Sequence, residues 1–234
     1  MSNPFRFKTF SLFHSKSAQK IGTDSVLLGC FALKKNYSRV LDVGCGCGIL
    51  SFMLATQPHE QIQGIDIDEI SIEEAEKNLN VFPFNHALNF KTIRFQDFSN
   101  TESFDFIISN PPYFKNSLKS PTPQRNLARH NDTLTFDEFA ENANRCLTPK
   151  GTIALILPVN EMKEMSDALA IQNLYPVEEI LILPYPNALP NRCIRFFSRV
   201  KKNGIQNSTF IIRNENNCYS EEYLELVKDF LTIF

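Results

Sequence analysis

The stretch Arg39-Val40-Leu41-Asp42-Val43-Gly44-Cys45-Gly46-Cys47-Gly48-Ile49-Leu50-Ser51 decides the fold. An apolar run from Arg39 to Val43 is stopped by glycine, and from Ile49 to Ala55 the apolar residues continue at helical spacing, which reads as strand, glycine turn, helix. Glycine at 44, 46 and 48 lets the backbone approach a bound molecule closely, because glycine accepts positive φ and presents no Cβ. The spacing is not the dinucleotide fingerprint G-x-G-x-x-G, in which the third glycine comes one residue later and a helix N-terminus meets pyrophosphate. Asp42 beside the loop would repel a pyrophosphate and suits a cationic group.

Outward from this stretch, strands and helices alternate, with no repeat, low-complexity tract or linker. Strands are expected at Gln63 to Ile67, Phe90 to Phe95, Phe104 to Ser109 and Thr152 to Leu157, the last announced by Pro149-Lys150-Gly151. Helices are expected at Ser25 to Leu33, Ser71 to Leu79, Phe136 to Leu147, Glu161 to Gln172 and Glu221 to Phe234. Glu74 stands three residues after Ser71 as a capping box, and Thr23 or Asp24 can cap the helix that follows them. Val177 to Leu183, Cys193 to Val200 and Ser208 to Ile212 alternate like antiparallel strands. The pattern predicts an α/β fold: a doubly wound, mostly parallel, seven-stranded sheet with antiparallel C-terminal strands. At 234 residues and 43% hydrophobic, one domain over 1–234 is expected.

No apolar run approaches the ~20 residues that span a bilayer, and the N-terminus lacks a signal peptide's apolar block, so a cytoplasmic protein without membrane contact is expected. The six cysteines read as reduced thiols, and no histidine stands at zinc-ligand spacing from Cys45-x-Cys47, so no metal is expected. The net charge of −2 excludes a uniformly basic coat, yet three stretches are basic and acid-free: 1–23, 115–131 and 180–214. Folded onto one face they would track phosphates; the alternative is ordinary solvated charge.

Acids at successive strand ends define a cofactor pocket. Asp42 would face an amino group or sulfonium, which points to S-adenosyl-L-methionine, whose amino-acid end is zwitterionic. Asp66 sits where a doubly wound fold places an acid for ribose hydroxyls. Asp97 would bond an adenine amino group and Phe98 would cover the ring; the competing readings are a cap of the following helix for Asp66 and Asp68 and a core position for Phe98. Ser109-Asn110-Pro111-Pro112-Tyr113 after the fourth strand carries the chemistry. A conjugated exocyclic amine is a poor nucleophile, and two acceptors aimed at its N–H bonds favour a pyramidal nitrogen with a free lone pair. The Asn110 side-chain oxygen and the Pro111 carbonyl supply them, the prolines fix φ, and Tyr113 would stack on a flipped base. The bland alternative is a rigid turn.

These residues resemble the class I S-adenosylmethionine-dependent methyltransferases, and the Asn-Pro-Pro-Tyr motif resembles that of the amino methyltransferases among them. More narrowly, Phe13-His14, Lys20-Ile21-Gly22-Thr23-Asp24, Leu27-Leu28-Gly29, the loop from Asp42 to Gly48, Ser109 to Phe114 and Arg125-x-x-x-Arg129-His130 resemble the bacterial valine-tRNA adenine-N6 methyltransferases, which modify the adenosine 3′ of the anticodon. Cys45 and Cys47 depart from the small or hydroxyl residues usual there. The resemblance implies a basic N-terminal segment, about 1–24, over the cofactor pocket, with Thr23 bordering the cofactor and Lys20 the RNA. Arg125, Arg129 and His130 would contact RNA phosphates or order a lid, the alternative being a solvated loop; tRNA is the expected partner, with a monomer as the working expectation.

Three rivals stay open. A glutamine-N5 methyltransferase of release factors uses the same clamp but resembles a chain with a helical domain ahead of the glycine loop, where only about forty residues stand here. A guanine-N2 rRNA enzyme differs in its acceptor base. A non-enzymatic RNA-binding module would keep the fold without binding cofactor.

Overall fold

The computed structural model describes residues 3–17, 20–84, 87–99, 101, 103–111 and 134–232. Pro112, Tyr113, Arg125, Arg129 and His130 lie outside them. The chain opens with a two-stranded antiparallel ribbon, β1 (Phe5–Arg6) and β2 (Ser11–Leu12), followed by α1 (Thr23–Ala32). Then come β3 (Arg39–Val43), α2 (Ile49–Leu54), β4 (Gln61–Asp66), α3 (Glu69–Leu79) and β5 (Leu88–Thr92). A single 3-10 turn at Phe95–Asp97 leads to β6 (Phe104–Ser109). Next are α4 (Phe136–Cys146), β7 (Leu147–Leu157), α5 (Val159–Ile171), β8 (Tyr175–Leu183), β9 (Arg192–Ser198), β10 (Gln206–Ile211) and α6 (Glu221–Val227).

The main sheet has the order β10-β8-β9-β7-β6-β3-β4-β5. From β3 the chain winds outward through β4 to β5, then crosses back to β6 on the other side of β3. That reversal opens a crevice above the carboxyl ends of β3 and β6, where doubly wound sheets bind ligands. β3 is central because its side chains suit burial on both faces: Val40 and Leu41 are fully buried. Val40 joins the core with α1, α2 and α6, whereas Leu41 joins the opposite core with α4 and α5. The result is three layers, helices on both faces of one sheet.

The mixed sheet matches the sequence expectation in class, with four corrections. Among the described residues it has eight strands, not seven. The reversal falls on β9 alone, which pairs antiparallel with β7 and β8, while β10 pairs parallel with β8. Alternation identifies a strand with unlike faces; it does not report direction. The strand expected at Phe90 to Phe95 ends at Thr92, and Phe95 turns into the core. The C-terminal helix stops at Val227, after which Leu231 bridges Phe7 and Phe230 accepts a hydrogen bond from the Lys8 amide at 2.8 Å.

Candidate active site

Two loops leave the sheet side by side at the crevice. In the first, the Gly44 and Cys45 amides donate to the Ile65 carbonyl at 2.9 and 3.0 Å, folding the turn back over β4. Gly44 and Gly46 have φ of +71° and +55°, which side chains rarely adopt, and a Cβ on either would meet nothing within 4 Å. The loop therefore forms an open cradle. Cys45 and Cys47 are buried small wedges, and burial pushes the Cys47 thiol up to about 12, so it is an unreactive neutral group.

Asp66, at the end of β4, holds this cradle. One carboxylate oxygen accepts from the Gly46 amide at 2.8 Å and the other from the Asp68 amide at 2.9 Å, and burial raises its pKa. It does not cap α3; Asp68 does, accepting from the Ser71 amide and hydroxyl at 3.2 and 2.5 Å. The capping box expected at Ser71 and Glu74 does not form, because the helix starts one turn earlier with Asp68 as its N-cap.

Asp42 is fully buried, with Oδ2 accepting from the Ser51 amide and hydroxyl at 3.1 and 2.7 Å. Its Oδ1 has no partner, and burial pushes the carboxyl up to about 7, aided by repulsion from Asp66. A buried acceptor without a donor is costly, and a cationic group over the cradle would both satisfy it and restore its charge. The residues fit an amino-acid end carrying an ammonium or sulfonium.

The second loop begins at Asn110, directly after β6. The Ser109 hydroxyl donates to the Val43 carbonyl at 2.6 Å, tying this strand end to β3. The Asn110 Nδ2 donates to the hydroxyl of Ser25 at 2.8 Å, and its amide oxygen has no hydrogen-bond partner among the described residues. Lys20, Ser25, Gly44, Gly46, Cys47 and Asn110 line one cleft, so the two loops share a site. Pro111 is buried behind it.

Several expected residues have other duties. Lys20, expected at RNA, directs its ammonium to the carbonyls of His14, Ser15 and Ser17 at 2.9, 2.6 and 3.1 Å, which satisfies all three donors. Phe98 is 4% exposed and packs in the core near Phe104, so its ring is not available as a cover, while Asp97 stays exposed beside it. Neither Thr23 nor Asp24 caps α1: the N-cap is Gly22, with no side-chain bond, and Asp24 pairs with Arg192 at 2.8 Å. Thr23 is exposed and lines a neighbouring groove rather than the glycine cleft. Part of the basic stretch 180–214 is committed within the fold: Arg195 pairs with Glu179, Arg199 holds the Asn144 and Leu147 carbonyls at 2.7 and 3.1 Å, and Arg213 holds the Asn217 carbonyl at 2.7 Å, while Lys201 and Lys202 stay exposed.

Residues that sequence reasoning did not single out complete the site. Glu74 accepts from the Lys16 amide (3.0 Å) and from the Ser17 amide and hydroxyl (2.9 and 2.6 Å). Asn78, one turn on, brackets Phe13 through both its amide and carbonyl (2.8 and 2.9 Å) and reaches the Cys47 carbonyl at 3.2 Å. The N-terminal segment is therefore fastened to α3 next to the cradle. The available signal was the polar spacing of Ser71, Glu74 and Asn78 on one helix face, all three buried.

Residues 6–177 match the family described as "Methyltransferase small domain". Proteins named tRNA1(Val) (adenine(37)-N6)-methyltransferase from Parabacteroides distasonis and Bacteroides fragilis are 37% and 34% identical, each over 98% of both chains. The chain belongs to this methyltransferase family. Its cofactor is S-adenosylmethionine, whose bound form supplies an electrophilic methyl group. Among solved structures, a predicted O-methyltransferase from Agrobacterium tumefaciens superposes with a TM-score of 0.66 at 16% identity, covering 88% of this chain and 96% of that one. The 1,6-didemethyltoxoflavin-N1-methyltransferase of Burkholderia thailandensis, solved with S-adenosylhomocysteine, gives 0.53 at 14%, covering 76% and 78%. These two likenesses concern the fold alone.

Proposed function

We propose that this methyltransferase transfers a methyl group to the exocyclic N6 of adenosine 37 in tRNA1(Val), the substrate named for its full-length relatives. The observation that carries the reading is the Asn110 amide at the cradle, its nitrogen committed to Ser25 and its oxygen left to accept an N–H of the target amine. The Pro111 carbonyl is the second acceptor. Together they hold the nitrogen pyramidal and aligned, so that its lone pair forms the new N–C bond as the methyl's bond to sulfur breaks, and the surplus N–H proton leaves to water. Asp42 and the cradle hold the cofactor's cationic end, and Asp66 fixes the loop and faces the ribose. Tyr113 stacks on the flipped adenine, and Arg125, Arg129 and His130 contact the RNA backbone. Among the described residues no helix is long and apolar enough to cross a membrane. A monomer working in the cytoplasm, where tRNA is, fits this reading.

The test is transfer of labelled methyl from S-adenosylmethionine to unmodified total tRNA, with rRNA and release factor as parallel acceptors and nucleosides identified by mass. N6-methyladenosine at position 37 is expected. Label confined to guanine N2 or to a glutamine would overturn the substrate while keeping the clamp, and no affinity for the cofactor would favour the non-enzymatic rival.

A further inference from the structure

A second cleft opens at the same end of the sheet as Asn110. β8 is parallel to β7, because β9 is antiparallel to both, so the turn from 184 to 191 leaves β8 at the end where the glycine loop leaves β3. Between this turn, the start of α1 and the residues after β10 lies a groove of about 420 Å3. Thr23, Asp24, Tyr185, Arg192, Arg213 and Tyr219 line it.

The lining is aromatic and cationic at once. Tyr185 is 57% exposed on a turn stiffened by Pro184, Pro186 and Pro190. Arg213 lies over the Tyr219 ring at 4.5 Å, anchored by the Asn217 carbonyl, and Tyr219 stacks in turn on Tyr223 at 4.6 Å and 13°. This backing fixes a flat guanidinium surface, and guanidinium and phenol faces are the surfaces on which unstacked bases settle without regard to sequence.

The groove adjoins the catalytic site at the first turn of α1. Thr23 and Asp24 line it, and the next residue, Ser25, holds Asn110. Three strand spacings separate β6 from β8, roughly 14 Å. At ~3.4 Å per stacked nucleotide, about four nucleotides bridge that distance, and fewer do if the strand is extended.

We propose that this groove holds a single-stranded nucleotide flanking the target adenosine, its base stacked against Tyr185 or the Arg213–Tyr219 face. The proposal rests on the RNA reading above and adds to it a site that grips by stacking. It follows that the part contributed by stacking on the neutral Tyr185 ring is largely insensitive to salt, unlike contacts to phosphate.

The test uses the full chain with tRNA1(Val) anticodon stem-loops carrying 4-thiouridine about two to four nucleotides from the target position, the span that reaches the groove. Photocrosslinks are expected in residues 184–191 or 213–219. Tyr185→Ala should weaken stem-loop binding about tenfold with the salt slope and the S-adenosylmethionine affinity unchanged, and Tyr185→Phe should bind as wild type, consistent with ~1–3 kcal/mol per stacked base. Arg213→Gln is the second variant and should weaken binding as well. Crosslinks elsewhere, with both variants binding as wild type, would overturn the groove while leaving the RNA reading intact. A wild-type protein that neither binds nor methylates the stem-loop would overturn both.

Discussion

Asp42 concentrates the electrostatics of the site in one carboxyl. Its folded pKa of about 7 lies above its ordinary value, so the stability it contributes is fully present below the unfolded pKa and is lost as pH rises through about 7. A cationic ligand favours the ionised form, so binding S-adenosylmethionine should release a proton near neutrality, and affinity should rise between about pH 6 and pH 7.5. Calorimetry in two buffers of unlike ionisation enthalpy measures the release, and Asp42→Asn should abolish it; a wild type that releases none contradicts the assignment. In the proposed mechanism Asn110 acts on the other reactant. Asn110→Ala should lower single-turnover methyl transfer about 100- to 1,000-fold with cofactor affinity unchanged. Ser25, only 4% exposed, acts through Asn110. Ser25→Ala should lower turnover about tenfold, the loss of roughly one hydrogen bond, with KM for tRNA unchanged, and should add nothing in the Asn110→Ala background. Additive losses would mean that Ser25 serves only packing.

At the scale of elements, α3 links the N-terminal segment to the cofactor cradle. Glu74 and Asn78 lie one turn apart, so they face the same side and grip residues 13–17 together. Burial opposes the Glu74 charge, but hydrogen bonds from Ser17 and Lys16 outweigh it and hold its pKa below the ordinary carboxylate range. Its stabilising contribution is therefore present above the unfolded pKa and lost as pH falls through the lower folded value. Glu74→Ala should expose residues 13–17 to proteolysis, lower stability by about 1.5–3 kcal/mol and weaken cofactor binding, because Asn78 carries the same segment to Cys47. Unchanged proteolysis and an unchanged melting temperature would show that the segment is held elsewhere.

At the scale of the whole molecule, charge is divided between holding the fold and meeting the substrate. Arg199 gathers carbonyls at the end of α4 and the start of β7, so Arg199→Ala should lower the melting temperature while leaving the salt slope of tRNA binding unchanged. Arg125→Ala with Arg129→Ala should do the reverse, reducing the slope by up to about two at little expense of stability. Binding measured against salt, alongside thermal melts, separates the two sets; a slope lost with Arg199 instead would place that arginine at the phosphates.

The chemistry was legible in the sequence because it is carried by short local motifs. Asp42 to Gly48 and Asn110-Pro111 each lie within one turn of a strand end, where backbone conformation follows from a few neighbouring residues, and β6 was delimited at both ends by its apolar run. Sequence alone determined the wound α/β class and the cofactor, and it supplied the residues of the proposed clamp. Tertiary structure decided what those motifs touch. Ser25 stands 85 positions from Asn110, Glu74 57 from Ser17, and Arg192 168 from Asp24, and nothing in local spacing encodes such pairings. It also decided that β10 runs parallel to β8 and that the ring of Phe98 belongs to the core. Strand direction and burial depend on how the whole sheet closes, and a residue's type fixes what it can bond, not which partner the fold brings to it.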